Sequence, residues 1–131
     1  MSDAGILVVD DSPDNLFLIS ILLEREGFDV RTALDAGEAM AVLEGFHPEL
    51  ILMDIQMPGI DGLELTRALR KLPRLDGVRI VDLTAYAMKG DEENAWAAGC
   101  CGYITKPIDT RGLSELIRGY LAEPACPGSH R

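Results

Sequence analysis

The chain has no apolar run approaching the roughly 20 residues that a membrane-spanning helix needs, and its first residues lack the basic and apolar regions of a secretory signal. Cysteine is scarce: Cys100, Cys101 and Cys126 make an odd count, which without a secretion signal reads as reduced thiols rather than a disulfide framework. The adjacent Cys100-Cys101 pair also lacks the spacing of a zinc knuckle. Basic residues are outnumbered, 12 Lys and Arg against 22 Asp and Glu, for a net charge of −10. That balance disfavours a nucleic-acid surface, since phosphate backbones demand neutralising cations. Internal repeats and low-complexity tracts are missing as well. What remains is 131 residues of ordinary globular composition, 47% hydrophobic and 26% charged, enough for one domain with a core that needs no disulfide or structural metal. The expectation is a cytoplasmic, single-domain protein that binds neither DNA nor membrane.

Short β-rich apolar runs alternate with longer segments of helical period. The runs are Ile6 to Val9, Val30 to Thr32, Leu50 to Met53, Ile80 to Leu83 and Tyr103 to Thr105. The first and third are apolar throughout, as in strands covered on both faces. Ser12-Pro13 forms an N-cap with proline at the first helical position, followed by Leu16, Ile19 and Leu23 on one face. Asp35-x-x-Glu38 and Asp61-x-x-Glu64 resemble capping boxes. Asp91 is expected to cap a fourth helix ending near Gly99, and the last helix is expected after Asp109 with a stripe of Leu113, Leu116, Ile117, Tyr120 and Leu121 that reads as core. Five strands, each followed by a helix, predict an α/β fold, (βα)5, with a doubly wound parallel sheet carrying helices on both faces. The domain spans residues 1–122, and the Pro- and Gly-rich stretch 123–131 reads as a short flexible tail.

In an open parallel sheet, ligands bind beyond the carboxyl ends of the strands. Strand one runs into Asp10-Asp11, strand three into Asp54, strand four into Thr84 and strand five into Lys106-Pro107. Any one of these has a bland explanation as a cap, a turn residue or a solvated charge. Together, at matching strand ends, they predict a single pocket of three carboxylates, a hydroxyl and an ammonium. An oxygen-only cluster of this kind suits Mg²⁺. An aspartate beside such an ion can attack an activated phosphoryl group, with the Thr and Lys holding its oxygens.

The residues now resemble the receiver domain of two-component response regulators. Val8-Val9-Asp10-Asp11 is similar to the family's acidic pair, and Asp54-Ile-Gln-Met-Pro-Gly-Ile-Asp-Gly62 to its phosphoacceptor loop. Leu83-Thr84-Ala85 resembles the switch-threonine segment, and Gly102-Tyr-Ile-Thr-Lys-Pro107 the lysine motif with its aromatic switch residue. The likeness runs from about Gly5 to Tyr120. It implies the flavodoxin-like strand order 2-1-3-4-5 and a phosphoaccepting protein, read as a stand-alone receiver with a receiver cut from a hybrid kinase as the alternative. Asp54 would take a phosphoryl group from a histidine kinase or histidine phosphotransfer protein. Asp10, Asp11, Asp54 and the Gln56 backbone carbonyl would organise Mg²⁺, and Thr84 and Lys106 would bind the phosphoryl group. Tyr103 would rotate inward as Thr84 moves, and the Lys106-Pro107 bond would be cis. The resemblance further implies a readout face of the fourth helix, fifth strand and fifth helix for a downstream protein target or a homodimer. Such a protein is not a conventional enzyme; it catalyses only its own phosphotransfer and dephosphorylation.

Asp82 departs from the family pattern. It stands two residues before Thr84, where a small apolar residue is usual, so burial there requires a hydrogen-bonding partner such as Lys106 or a hydroxyl. Gly112 and Gly119 are expected to weaken the last helix. Two rival readings share parts of the pattern. A haloacid-dehalogenase-like phosphatase also uses an aspartyl nucleophile with Mg²⁺, but Asp10-Asp11-Ser12 lacks its Asp-x-Asp spacing. A flavodoxin-like flavin carrier needs a Ser/Thr/Gly-rich phosphate loop after strand one, and here that loop is acidic.

Overall fold

The computed structural model describes residues 4–54, 62–75, 77–84, 102–105 and 111–122. β1 (Gly5–Val9), β2 (Asp29–Ala33), β3 (Leu50–Asp54), β4 (Arg79–Thr84) and β5 (Gly102–Thr105) form one sheet in the order β2-β1-β3-β4-β5. All four neighbouring pairs are parallel, as the alternation of strands and helices predicts. The described α-helices are α1 (Pro13–Glu24), α2 (Ala36–Gly45), α3 (Gly62–Arg70) and a last helix, Leu113–Ala122, with a 3-10 turn at Pro73–Leu75. None of them is long and apolar enough to cross a membrane. The expected helix after Asp91, the Asp61 and Asp109 caps, the Lys106-Pro107 bond and the tail 123–131 lie outside the described residues.

The uninterrupted apolar runs of β1 and β3 are explained by two cores, one on each face of the sheet. Alternate residues Ile6, Val8, Leu50 and Leu52 pack with Leu16, Ile19 and Leu23 of α1 and with Leu113 and Ile117 of the last helix. Their neighbours Leu7, Val9, Ile51 and Met53 pack on the other face with Ala39 and Leu43 of α2 and Leu65 and Leu69 of α3. Every residue of β1 and β3 is buried, so truncating one of the large side chains to Ala costs about 2–5 kcal/mol.

Local signals set the helix ends. Ser12 Oγ accepts from the Asn15 N–H at 3.3 Å, and Pro13 occupies the first turn, where its missing N–H is of no consequence. Asp35 Oδ1 accepts from the Glu38 N–H at 2.8 Å, whereas Glu38 Oε1 accepts from the Leu34 N–H at 2.7 Å, one residue before the cap. The reciprocal box is thus shifted by a residue. α1 ends in a turn the sequence reading did not identify: the Phe28 N–H donates to Leu23 O and the Gly27 N–H to Glu24 O, with Gly27 at φ 96°. This is a left-handed cap that favours glycine.

Two expectations for the last helix need correction. Leu116 is not core: Leu113 and Ile117 are buried, but Leu116 is 46% exposed because it lies at the margin of the stripe. Gly112 is not in the helix interior. It precedes Leu113, and its carbonyl accepts from the Leu116 N–H at 3.0 Å, a boundary position where glycine costs little. Gly119 is within the helix, and a Cβ there would meet nothing within 4 Å.

The same substitution should therefore act in opposite directions at two sites in urea unfolding. Gly119→Ala should raise stability by about 0.5–1 kcal/mol through helix propensity. Gly27→Ala should lower it by about 1 kcal/mol, because alanine resists the left-handed conformation.

Candidate functional site

The strand register aligns the carboxyl ends at one edge of the sheet. Val9 pairs with Met53, Asp54 with Leu83, and Thr84 with Thr105. Asp10 and Asp54 therefore leave neighbouring strands at the same level, with the end of β4 beside them. One carboxylate oxygen each from Asp10, Asp11 and Asp54 lies within 4.8 Å of the others. Asp10 and Asp54 are buried, 0% and 1% exposed, and Asp11 opens to solvent.

Asp10 is held from several sides. Its N–H donates to Ala33 O at 3.1 Å, extending the β1–β2 ladder by one bond. Its Oδ1 accepts from the Ser12 N–H at 2.9 Å and its Oδ2 from Asn15 Nδ2 at 3.3 Å. Asn15 was missed in the sequence reading. Its signal was available: an amide at the third position of a capped helix, beside the cap and within reach of a preceding acid. Both buried acids are further engaged in polar interactions within the fold.

Two carboxylates with oxygens no more than 4.8 Å apart repel by about 3 kcal/mol or more at an effective dielectric constant of 20. The rigid sheet holds them together despite this, which makes the cluster attractive to a cation. The donors are all oxygen, with no sulfur or imidazole in the group. Mg²⁺ binds such donors at about 2.0–2.1 Å and keeps several waters, so a carboxylate slightly beyond direct reach can bind through one. The residues fit that ion.

Of the other expected site residues, Thr84 ends β4 opposite Thr105 of β5, and Tyr103 pairs along the backbone with Asp82. Lys106 follows the end of β5 but, with Gln56, falls outside the described residues. Asp82 is buried, 1% exposed, in the middle of β4 between Met53 and Tyr103, and it is engaged in an interaction within the fold. Lys106, which with a hydroxyl was the partner expected for it, lies outside the described residues.

The response regulator receiver domain family matches residues 6–118. Polar-differentiation response regulator DivK of Brucella ovis is 38% identical over 119 residues, covering 91% of this chain and 97% of that protein. A 14.6 kDa protein of Leptolyngbya boryana is 41% identical over 125 residues, 95% of each chain. Among solved structures, chemotaxis response regulator CheY4 of Vibrio cholerae superposes with a TM-score of 0.85 at 28% identity, covering 90% of this chain and 98% of that one. The receiver domain of sensor histidine kinase PA1611 of Pseudomonas aeruginosa has a TM-score of 0.82 at 32% identity over 93% of this chain and all (100%) of its own. That structure carries a magnesium ion coordinated in its active-site cleft.

Removing one of the repelling charges should stabilise the metal-free protein. Asp54→Asn is expected to raise the unfolding free energy in chelator-containing buffer by about 1–2 kcal/mol, the Coulomb cost less what the amide loses in hydrogen bonding. It should also abolish the rise in melting temperature that added Mg²⁺ is expected to give the unaltered chain. Thermal and urea unfolding with and without the ion check both outcomes.

Proposed function

The chain belongs to the response regulator receiver domain family, and on that premise we propose that it accepts a phosphoryl group on Asp54 from a phosphohistidine on a histidine kinase or a histidine phosphotransfer protein. Receiver domains are signalling proteins. The observation that carries the proposal is the convergence of Asp10, Asp11 and Asp54 at the carboxyl edge of the sheet.

Asp10, Asp11, Asp54 and the Gln56 backbone carbonyl would hold Mg²⁺. When bound, the ion supplies positive charge against which both the carboxylates and the incoming phosphoryl oxygens are stabilised. An Asp54 carboxylate oxygen attacks phosphorus; a P–O bond forms, the P–N bond breaks, and the leaving imidazole takes up a proton. Asp10 and Asp11 do not compete as nucleophiles in this reading. Asp10 is committed through both oxygens to Ser12 and Asn15, and Asp11, which opens to solvent, would help to hold the ion. Thr84 and Lys106 bind the transferred oxygens with a hydroxyl and a positive charge.

The signal is a shift between two arrangements. The phosphoryl group offers Thr84 an acceptor in only one of them, so phosphorylation biases the equilibrium, and Tyr103 follows into the space that Thr84 leaves. The readout face is the surface of β5 and the last helix together with the segment after β4, facing a downstream protein or a second copy. Phosphotransfer and hydrolysis act on the protein's own side chain, without turnover of an external substrate, and the cytoplasm is the compartment where such donors work.

Incubation with acetyl phosphate and Mg²⁺ followed by intact mass measurement tests the reading. A single phosphate-sized adduct is expected on the unaltered chain and none on Asp54→Ala. Asp11→Asn should retain the adduct but require about tenfold more Mg²⁺, for the loss of one exposed ligand. An equal adduct on Asp54→Ala would move the acceptor to another residue.

A further inference from the structure

Asn15 is not among the residues that would hold Mg²⁺, yet a closed set of bonds ties it to one that is. Asp10, buried at the end of β1, accepts at both carboxylate oxygens: Oδ1 from the Ser12 N–H at 2.9 Å and Oδ2 from Asn15 Nδ2 at 3.3 Å. Ser12 in turn holds Asn15, because its Oγ accepts from the Asn15 N–H at 3.3 Å. The Ser12 carbonyl accepts from the Leu16 N–H at 3.1 Å, and Leu16 is buried in the core between α1 and the sheet. The helix cap therefore places the half-buried Asn15, and its amide reaches back to the acid. Both ends of the carboxylate are gripped by one rigid turn, and rotating its plane would break at least one of the two bonds.

Such a grip matters differently to different cations. Mg²⁺ demands near-octahedral order at about 2.0–2.1 Å and keeps several of its waters, so it needs few protein oxygens. Ca²⁺ seeks about 6–8 oxygens at about 2.3–2.6 Å and can span both oxygens of one carboxylate. The cluster offers three carboxylates, so Ca²⁺ gains most if an acid can turn to supply its second oxygen. An acid anchored at both oxygens keeps the single orientation that the fold gives it, and rigidity of this kind separates the two ions.

We propose that Asn15 is a positioning residue that sets the site's preference for Mg²⁺ over Ca²⁺ by locking the Asp10 carboxylate in one orientation. The Ser12 half of the grip is a main-chain N–H that no side-chain replacement removes; Asn15 is the half that residue choice controls. The inference rests on reading the acidic cluster as a Mg²⁺ site, and it holds whichever residue accepts the phosphoryl group.

Isothermal titration calorimetry of the full chain with Mg²⁺ alone and with Ca²⁺ alone tests it, with urea unfolding to establish that each variant is folded. Asn15→Leu keeps the size of the side chain and removes the donor. It should weaken Mg²⁺ by about tenfold, as loss of an outer-shell partner does, and Ca²⁺ by less than about threefold. Asn15→Asp also lacks the donor but adds a charge; it should bind both ions more tightly and still lose the preference. Asp11→Asn removes an exposed acid without touching the grip, so both affinities should fall together and the preference should stay. An unchanged preference in both Asn15 variants, with Mg²⁺ still bound, would overturn the role of Asn15 and leave the metal site standing. An equal loss of preference in Asp11→Asn would assign the effect to charge and overturn it too. Failure of the unaltered chain to bind either ion would remove the metal reading and this inference with it.

Discussion

The parallel pairing of β1 with β3 is the constraint on which the site depends. Asp10 and Asp54 are 44 positions apart in the chain and would separate if left to their charges. They are adjacent because Val9 stands opposite Met53, and that register is fixed by apolar side chains buried on both faces of both strands. A shift of one residue would exchange the two cores and is correspondingly costly. The hydrophobic effect thus supplies the work of crowding like charges, and the crowding is what makes the cluster a place for a divalent cation.

Much of this was readable from residue order because it is written locally. An unbroken Ile-Leu-Val-Val has few alternatives to a strand covered on both sides, and Ser12-Pro13 has few alternatives to a helix start. Convergence of distant acids followed from one topological rule, that ligands bind beyond the carboxyl ends of parallel strands. The features that escaped depend on geometry that residue types do not encode. Asn15 is a common N-terminal helix residue until its amide is seen on Asp10. Leu116 fits the helical period, but a period does not say how wide the covered stripe is. The left-handed Gly27 cap needs a helix end known to the residue, and that end is blurred when Glu24, Arg25 and Glu26 are all compatible with continuing the helix.

Asp82 is the feature that the family pattern explains least. A carboxylate in the middle of a buried strand must be matched to its surroundings, and the row Met53–Asp82–Tyr103 places it on the strand that carries Thr84. A small apolar residue there would leave the row indifferent to charge; an acid makes it sensitive to whatever polar group it engages. Asp82 thus adds a buried acid to the strand that ends in Thr84.

The face that α1 shares with the last helix has an implication for how the chain is made. Leu16, Ile19 and Leu23 are covered partly by Leu113 and Ile117, and Arg118 reaches back 92 residues to the Glu26 carbonyl and carboxylate while lying 5.4 Å over the Phe28 ring. During translation α1 emerges well before the helix that covers it. A chain lacking Leu113 and Ile117 would leave part of that greasy strip bare, a target for chaperones and proteases until its cover is made.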